Sequence, residues 1–125
     1  MNCLLDTHAL IWYFDNSSKL SQKMRQVLTD PSNKLFISSA SLWEIVIKIG
    51  LGKLNLSFDN ILTKLTIGEI EVLQVEASFM AKTLELPYIH KDPFDRLIIA
   101  TALVADMTIL TTDENIRKYD VTWMW

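Results

Sequence analysis

Short apolar runs alternate with longer stretches of helical periodicity along the 125 residues. Asn2–Leu5 is a short apolar run that reads as a buried strand. A helix over roughly Thr7–Phe14 follows, then a loop at Asp15-Asn16-Ser17-Ser18. Residues 20–28 read as a helix with Ser21 at its N-cap, and Asp30-Pro31-Ser32-Asn33 as a turn. A second strand covers 35–37. The helix opened by Ser38–Ser41 runs to about Leu51, where Gly52 supplies a stop. A further helix is expected over 57–65. The alternation over 70–75 predicts a strand nearer the sheet edge, and a helix over 77–86 ends at Pro87. Asp92-Pro93 is a helix start, Asp at the N-cap and Pro at the first helical position, for a helix to about Ala105. Residues 108–111 form a strand, 113–119 a short helical turn, and 121–124 a last strand. Strands alternating with helices predict one α/β domain over 1–125, with a mostly parallel central sheet flanked by helices.

Composition adds a core and a compartment. Half the residues are hydrophobic, enough for a real core without disulfides. The one cysteine, Cys3, sits in an apolar run and reads as a core residue of a chain at home in a reducing cytosol. No segment has the length of a transmembrane helix, and the start of the chain lacks the basic region of a signal peptide. A complete, soluble, cytoplasmic protein is the expectation. The net charge of −3 does not advertise nucleic-acid binding. Yet setting four acids aside leaves eleven acids against twelve bases, so the acidity is local, and bound divalent cations would reverse its sign.

Those four acids are Asp6, Glu44, Asp95 and Asp113. Asp6 ends the first strand, and Asp113 lies just past a later one. Glu44 falls in the first turns of the helix leaving the second strand, and Asp95 in the first turn of its helix. In an open parallel sheet, ligands bind in the crevice outside the strand carboxyl ends. Like charges about 4 Å apart repel by roughly 4 kcal/mol at intermediate dielectric, so converging carboxylates need a neutralising partner. No His or Cys set has zinc spacing. Hard oxygen donors select Mg²⁺ or Mn²⁺, and the leading chemistry is phosphodiester hydrolysis by an activated water.

Each acid has a structural alternative. Asp6 can cap the following helix. Ser41-x-x-Glu44 has the spacing of a capping box. Asp95 complements a helix dipole, and Asp113 can open a short helix.

Taken together the motifs resemble the PIN-domain ribonucleases, in particular the VapC-like toxins of type II toxin–antitoxin pairs. The resemblance runs from end to end: Leu-Leu-Asp6-Thr7-His8, Ser-Ala-Ser-Leu-Trp-Glu44-Ile, His90-Lys91-Asp92-Pro93-Phe94-Asp95-Arg96, and Leu-Thr-Thr-Asp113-Glu114. It implies a three-layer PIN-like fold and an Mg²⁺- or Mn²⁺-dependent endoribonuclease whose catalytic and metal-binding residues are Asp6, Glu44, Asp95 and Asp113. It implies Thr7 and Thr112 as helping hydroxyls, with Asp113 rather than Glu114 facing the metal. It also implies an RNA substrate, an inhibiting antitoxin, a homodimer and a role in arresting translation and growth. In partial support, Trp43, Ile45, Val46, Ile47, Ile49 and Leu51 are apolar almost all round their helix, which is then either deeply buried or part of an interface, and a domain this small favours the interface.

His8 and His90 stand near proposed acids and read mainly as hydrogen-bonded residues at helix starts. Arg96 reads equally as a phosphate contact or as a support for a carboxylate. Asp92 is a cap, Lys48, Lys53 and Lys91 are solvated, and the four tryptophans are packing residues before they are base-stacking platforms. Two other functions compete. An aspartyl-nucleophile phosphatase wants a second Asp two residues after Asp6, where this chain has His8. A non-catalytic module of the same fold has no reason to keep all four acids.

Overall fold

The computed structural model describes residues 1–125 as five strands and seven helices. They are β1 (Asn2–Leu5), α1 (Thr7–Phe14), α2 (Gln22–Thr29), β2 (Lys34–Ser38), α3 (Ser39–Gly50), α4 (Phe58–Ile67), β3 (Ile70–Leu73), α5 (Ala77–Thr83), α6 (Pro93–Ala105), β4 (Thr108–Leu110), α7 (Glu114–Arg117) and β5 (Trp123–Met124). The sheet runs β3-β2-β1-β4-β5, and every pairing is parallel. The expected "mostly parallel" sheet is thus wholly parallel, since each strand returns through a helix.

β1 is central and buried on both faces, as its unbroken apolar run requires. Its alternate side chains feed two cores. Cys3 and Leu5 join Leu10 of α1, Met24 of α2, Ile45 of α3 and Ile61 of α4. Leu4 turns the other way, onto Ile98, Ile99 and Ala102 of α6 and Ile116 of α7. The result is a three-layer α/β/α domain. The chain leaves β1 toward β2 on one side and toward β4 on the other, so the order reverses at β1. That reversal opens a crevice at the strand carboxyl ends.

Local chemistry sets the helix starts. Ser21 accepts from Met24 N, Ser57 from Asn60 N, and Asp92 from Asp95 N. Gly52, just past α3, has φ of 72°, the left-handed conformation that a helix stop favours in glycine. Helix α5 ends at Thr83, short of Leu86, because the segment before Pro87 closes in 3₁₀-type turns. The capping box expected at Ser41 and Glu44 does not form. Ser38 caps α3 by accepting from Ala40 N, and Ser41 is buried with no partner for its hydroxyl. Glu44 is therefore free for another task. Ile45 of α3 is wholly buried, while Trp43 and Leu51 are exposed, so the apolar surround of this helix divides between core and surface. No helix is long and apolar enough to cross a membrane.

Candidate active site

A cleft of about 130 Å³ lies at the carboxyl ends of β1 and β4 and has no hydrophobic residue in its lining. It is walled by Asp6, Thr7, His8, Glu44, Lys48, Asp92, Asp95 and Asp113, so all four predicted acids meet there. Register explains half of this. Leu5 pairs with Leu110, and Asp6 N continues the ladder by donating to Leu110 O at 3.2 Å. Asp6 therefore comes beside Thr111, with Asp113 two residues on.

Each acid is held by specific bonds. Asp6 is buried; its Oδ1 caps α1 by accepting from Ala9 N at 2.7 Å, and its Oδ2 accepts from the Thr111 hydroxyl. Asp113 Oδ1 caps α7, accepting from Asn115 N at 2.8 Å and Ile116 N at 3.0 Å. Glu44 Oε1 accepts from the Thr7 hydroxyl at 2.7 Å, and its Oε2 pairs with Lys48 at 3.4 Å. Asp95 Oδ2 meets His90 Nε2 at 3.0 Å. Capping and site placement thus coincide for Asp6 and Asp113, because helices that start at strand ends point their amides into the crevice. The helix dipoles of α1 and α6 offset some of the negative charge gathered there.

The hydroxyl that supports Asp6 belongs to Thr111, not to Thr112. Side chains alternate along a strand, so only one of these neighbours faces Asp6. Thr111 also accepts from Asp113 N at 2.9 Å and so ties two acids together. Glu114 is exposed and lies outside the cleft, which leaves Asp113 as the acid at this position. Arg96 is not a phosphate contact. It is buried and points away from the cleft, donating to the carbonyls of Pro87, Thr83 and Leu86 and to the Tyr119 hydroxyl. Lys48 is paired rather than solvated. His8 is exposed and lies near Trp12, with ring centroids 5.9 Å apart. Thr111 and Tyr119 were missed from sequence: the first was legible in strand register, the second had no local signal.

Burial raises the Asp6 pKa above the ordinary carboxylate value, and the nearby Asp113 charge adds to it, against hydrogen bonds from Thr111 and Ala9 and the influence of His8. Burial likewise pushes Asp95 up to about 6, opposed by the His90 bond and assisted by Asp92 and Asp113. Folding thus favours the protonated form of Asp95. Its contribution to stability is complete below the unfolded pKa of 3.8 and is lost as pH rises through about 6. Metal-free protein should therefore lose stability from this group between pH 4 and pH 7. Urea unfolding of the native chain and Asp95→Asn at both pH values checks this: the variant should lack that part of the decline.

The donor set fits a hard cation. The cleft offers carboxylate oxygens, and Asp113 Oδ2 and Asp95 Oδ1 accept no hydrogen bond from the protein. No group of three or more His, Cys, Asp or Glu side chains closes into a metal cage. Mg²⁺ does not require one, since it is commonly held by one or two carboxylates and keeps several waters.

The geometry defines an α/β domain with an acidic cleft at its topological switch point. The PIN domain model matches residues 3–121, and the chain belongs to that family. In fold it is similar to VapBC2 from Rickettsia felis, whose structure holds a DNA fragment from its promoter: TM-score 0.72, 18% identity, covering 99% of this chain and 98% of that one. DNA-bound VapBC from Salmonella typhimurium gives TM-score 0.72 and 18% identity over 99% and 97% of the two chains. FitAcB from Neisseria gonorrhoeae gives 0.60 and 19% over 98% and 96%. No curated protein matches the chain at significance.

Proposed function

We propose that the protein is an Mg²⁺- or Mn²⁺-dependent endoribonuclease, the toxin of a toxin–antitoxin pair that arrests translation and growth. The observation that carries this reading is the meeting of Asp6, Glu44, Asp95 and Asp113, from four separate elements, in one cleft of a PIN domain. A divalent cation bound there supplies Lewis-acid stabilisation of a phosphoryl oxygen and a water made acidic enough to attack.

The chain's own residues do the rest. Asp6 and Asp113 present oxygens from a rigid strand-end frame joined through Thr111. Thr7 and Lys48 fix the Glu44 carboxylate from both sides. Lys48 also places a positive charge beside the cleft, where a substrate phosphate would need it. A carboxylate cluster binds no polyanion by itself, so substrate affinity should depend on the cation.

A protein partner is part of the proposal. Structures similar in fold include toxin–antitoxin complexes such as that from Klebsiella pneumoniae, at TM-score 0.59 and 20% identity. A groove between α1, α3 and α4, lined by Leu10, Ile11, Phe14, Ile45, Leu56 and Ile61 with Asp15, Asn55, Ser57, Asn60 and Lys64 among them, would suit an amphipathic antitoxin segment. The exposed Trp43 on α3 and Leu51 just past its end suit contact with a partner or a second copy in a homodimer.

Purified protein incubated with a mixture of structured and single-stranded RNAs should cleave them with Mg²⁺ or Mn²⁺ and stop on chelation by EDTA. Cleavage undiminished in EDTA would refute the metal-dependent reading. Tight RNA binding without cleavage in either metal would establish the non-catalytic module instead.

A further inference from the structure

One hydrogen-bonded chain runs inward from the cleft, behind one of the four acids. It starts at Asp95 Oδ2, passes through His90 and the Tyr119 hydroxyl, and ends on the buried guanidinium of Arg96. We propose that Arg96 and Tyr119 fix the tautomer of His90, and that His90 is a positioning residue that orients the Asp95 carboxylate. The proposal rests on Asp95 being a cation ligand.

Counting donors and acceptors sets the direction of every bond. A phenol oxygen has two lone pairs and one proton. Arg96 Nη1 donates to the Tyr119 oxygen at 3.1 Å, and the backbone N–H of His90 donates to it at 3.3 Å. Neither donor can reverse its role, so both lone pairs are taken. The phenol proton must then be donated. Its two acceptors are His90 Nδ1 at 2.8 Å and the His90 carbonyl at 3.4 Å. Only the first lies in the normal range for an O–H donor. Nδ1 is therefore an acceptor, the ring proton sits on Nε2, and Nε2 donates to Asp95 Oδ2 at 3.0 Å.

The chain is rigid along its length. Tyr119 and Arg96 are each 5% exposed, and the His90 and Tyr119 rings meet edge to face at 5.4 Å. Arg96 is locked in turn by three backbone carbonyls and by stacking on Tyr88, 4.1 Å from the ring centroid. With Oδ2 held by His90, the other oxygen, Oδ1, keeps one orientation. Supporting bonds of this kind typically change metal affinity or activity by about 10–100-fold.

The experiment is ¹⁵N NMR of the imidazole nitrogens in the metal-free full chain, joined to Mn²⁺ titration by electron paramagnetic resonance. His8 and His90 are the two histidines, so a His8→Gln sample assigns the signals. His90 should carry its proton on Nε2. Tyr119→Phe removes one oxygen and should give a mixture of tautomers and about tenfold weaker Mn²⁺ binding. His90→Ala should weaken binding at least as much, and His90→Gln, which keeps an N–H donor, should recover part of it. Asp95→Asn is the reference for a lost ligand. A native ring protonated on Nδ1 overturns the proposal. So do Tyr119→Phe and His90→Ala proteins with native Mn²⁺ affinity when Asp95→Asn has lost it, and that pattern leaves the nuclease reading standing. Native affinity in Asp95→Asn would instead remove Asp95 from the cation site, and the positioning role with it.

Discussion

Asp6→Asn is expected to lower RNA cleavage by about 10³-fold or more, equivalent to about 4 kcal/mol of transition-state stabilisation. The same protein should stay folded. Asn keeps the carbonyl oxygen that caps α1 through Ala9 N, and the Thr111 hydroxyl can turn to accept from the new amide. Because burial raises the Asp6 pKa, the ionised form opposes folding, and the stability contributed by the protonated form is lost as pH rises through the folded value. The neutral variant escapes that loss. At pH 7 without metal it should be at least as stable as the native chain. Adding Mn²⁺ should then raise the melting temperature of the native protein and leave the variant's nearly unchanged. Activity and stability thus move in opposite directions, as a ligand in a crowded anionic site requires. Native cleavage rates in this variant would exclude Asp6 from the chemistry.

Arg96→Leu should cost about 3 kcal/mol of stability, the largest effect expected from a residue outside the cleft. Arg96 ties α6 to the connection from α5 through the carbonyls of Thr83, Leu86 and Pro87, at 3.0, 3.4 and 2.8 Å. No carboxylate pairs with it, so neutral dipoles, the Tyr119 hydroxyl among them, and the Tyr88 ring carry its whole solvation. Leucine fills much of the volume but leaves those carbonyls without their donor. Arg96→Lys keeps the charge and loses the planar fork, so it should recover less than half. Urea unfolding at fixed pH measures both, and a loss under about 1 kcal/mol for Arg96→Leu would show that water replaces the guanidinium at little cost.

Arg96 also illustrates what sequence reading can and cannot reach. Its place beside Asp95 suggested a role in the cleft, but neighbours in a helix's first turn point about 100° apart, and Asp95 took the cleft face. The alternation of strands and helices was legible because the apolar runs are short and their ends carry Ser, Asp, Gly and Pro. The acids were legible by position, since strand ends and helix starts of a parallel sheet face one crevice. Glu44 was ambiguous because Ser41 offered a cap; only the structure moves that cap to Ser38 and sends Glu44 to Thr7 and Lys48. Thr111 against Thr112 depended on a one-residue question of register, which flips a side chain to the other face. The chain from Asp95 to Tyr119 was not legible, because Tyr119 lies 24 residues beyond Asp95 and its own sequence neighbours carry no motif. Contacts of that kind arise only once α6 and α7 pack on the same face of the sheet.

Whether the four carboxylates form a cation site is tested most directly by diffraction from crystals soaked in Mn²⁺, recorded at the manganese absorption edge. An anomalous peak should lie inside the cleft, within coordination distance of oxygens from Asp6, Glu44, Asp95 or Asp113, with no such peak in Asp6→Asn crystals. A cleft without manganese, in crystals of a protein that cleaves RNA in the same buffer, would contradict it.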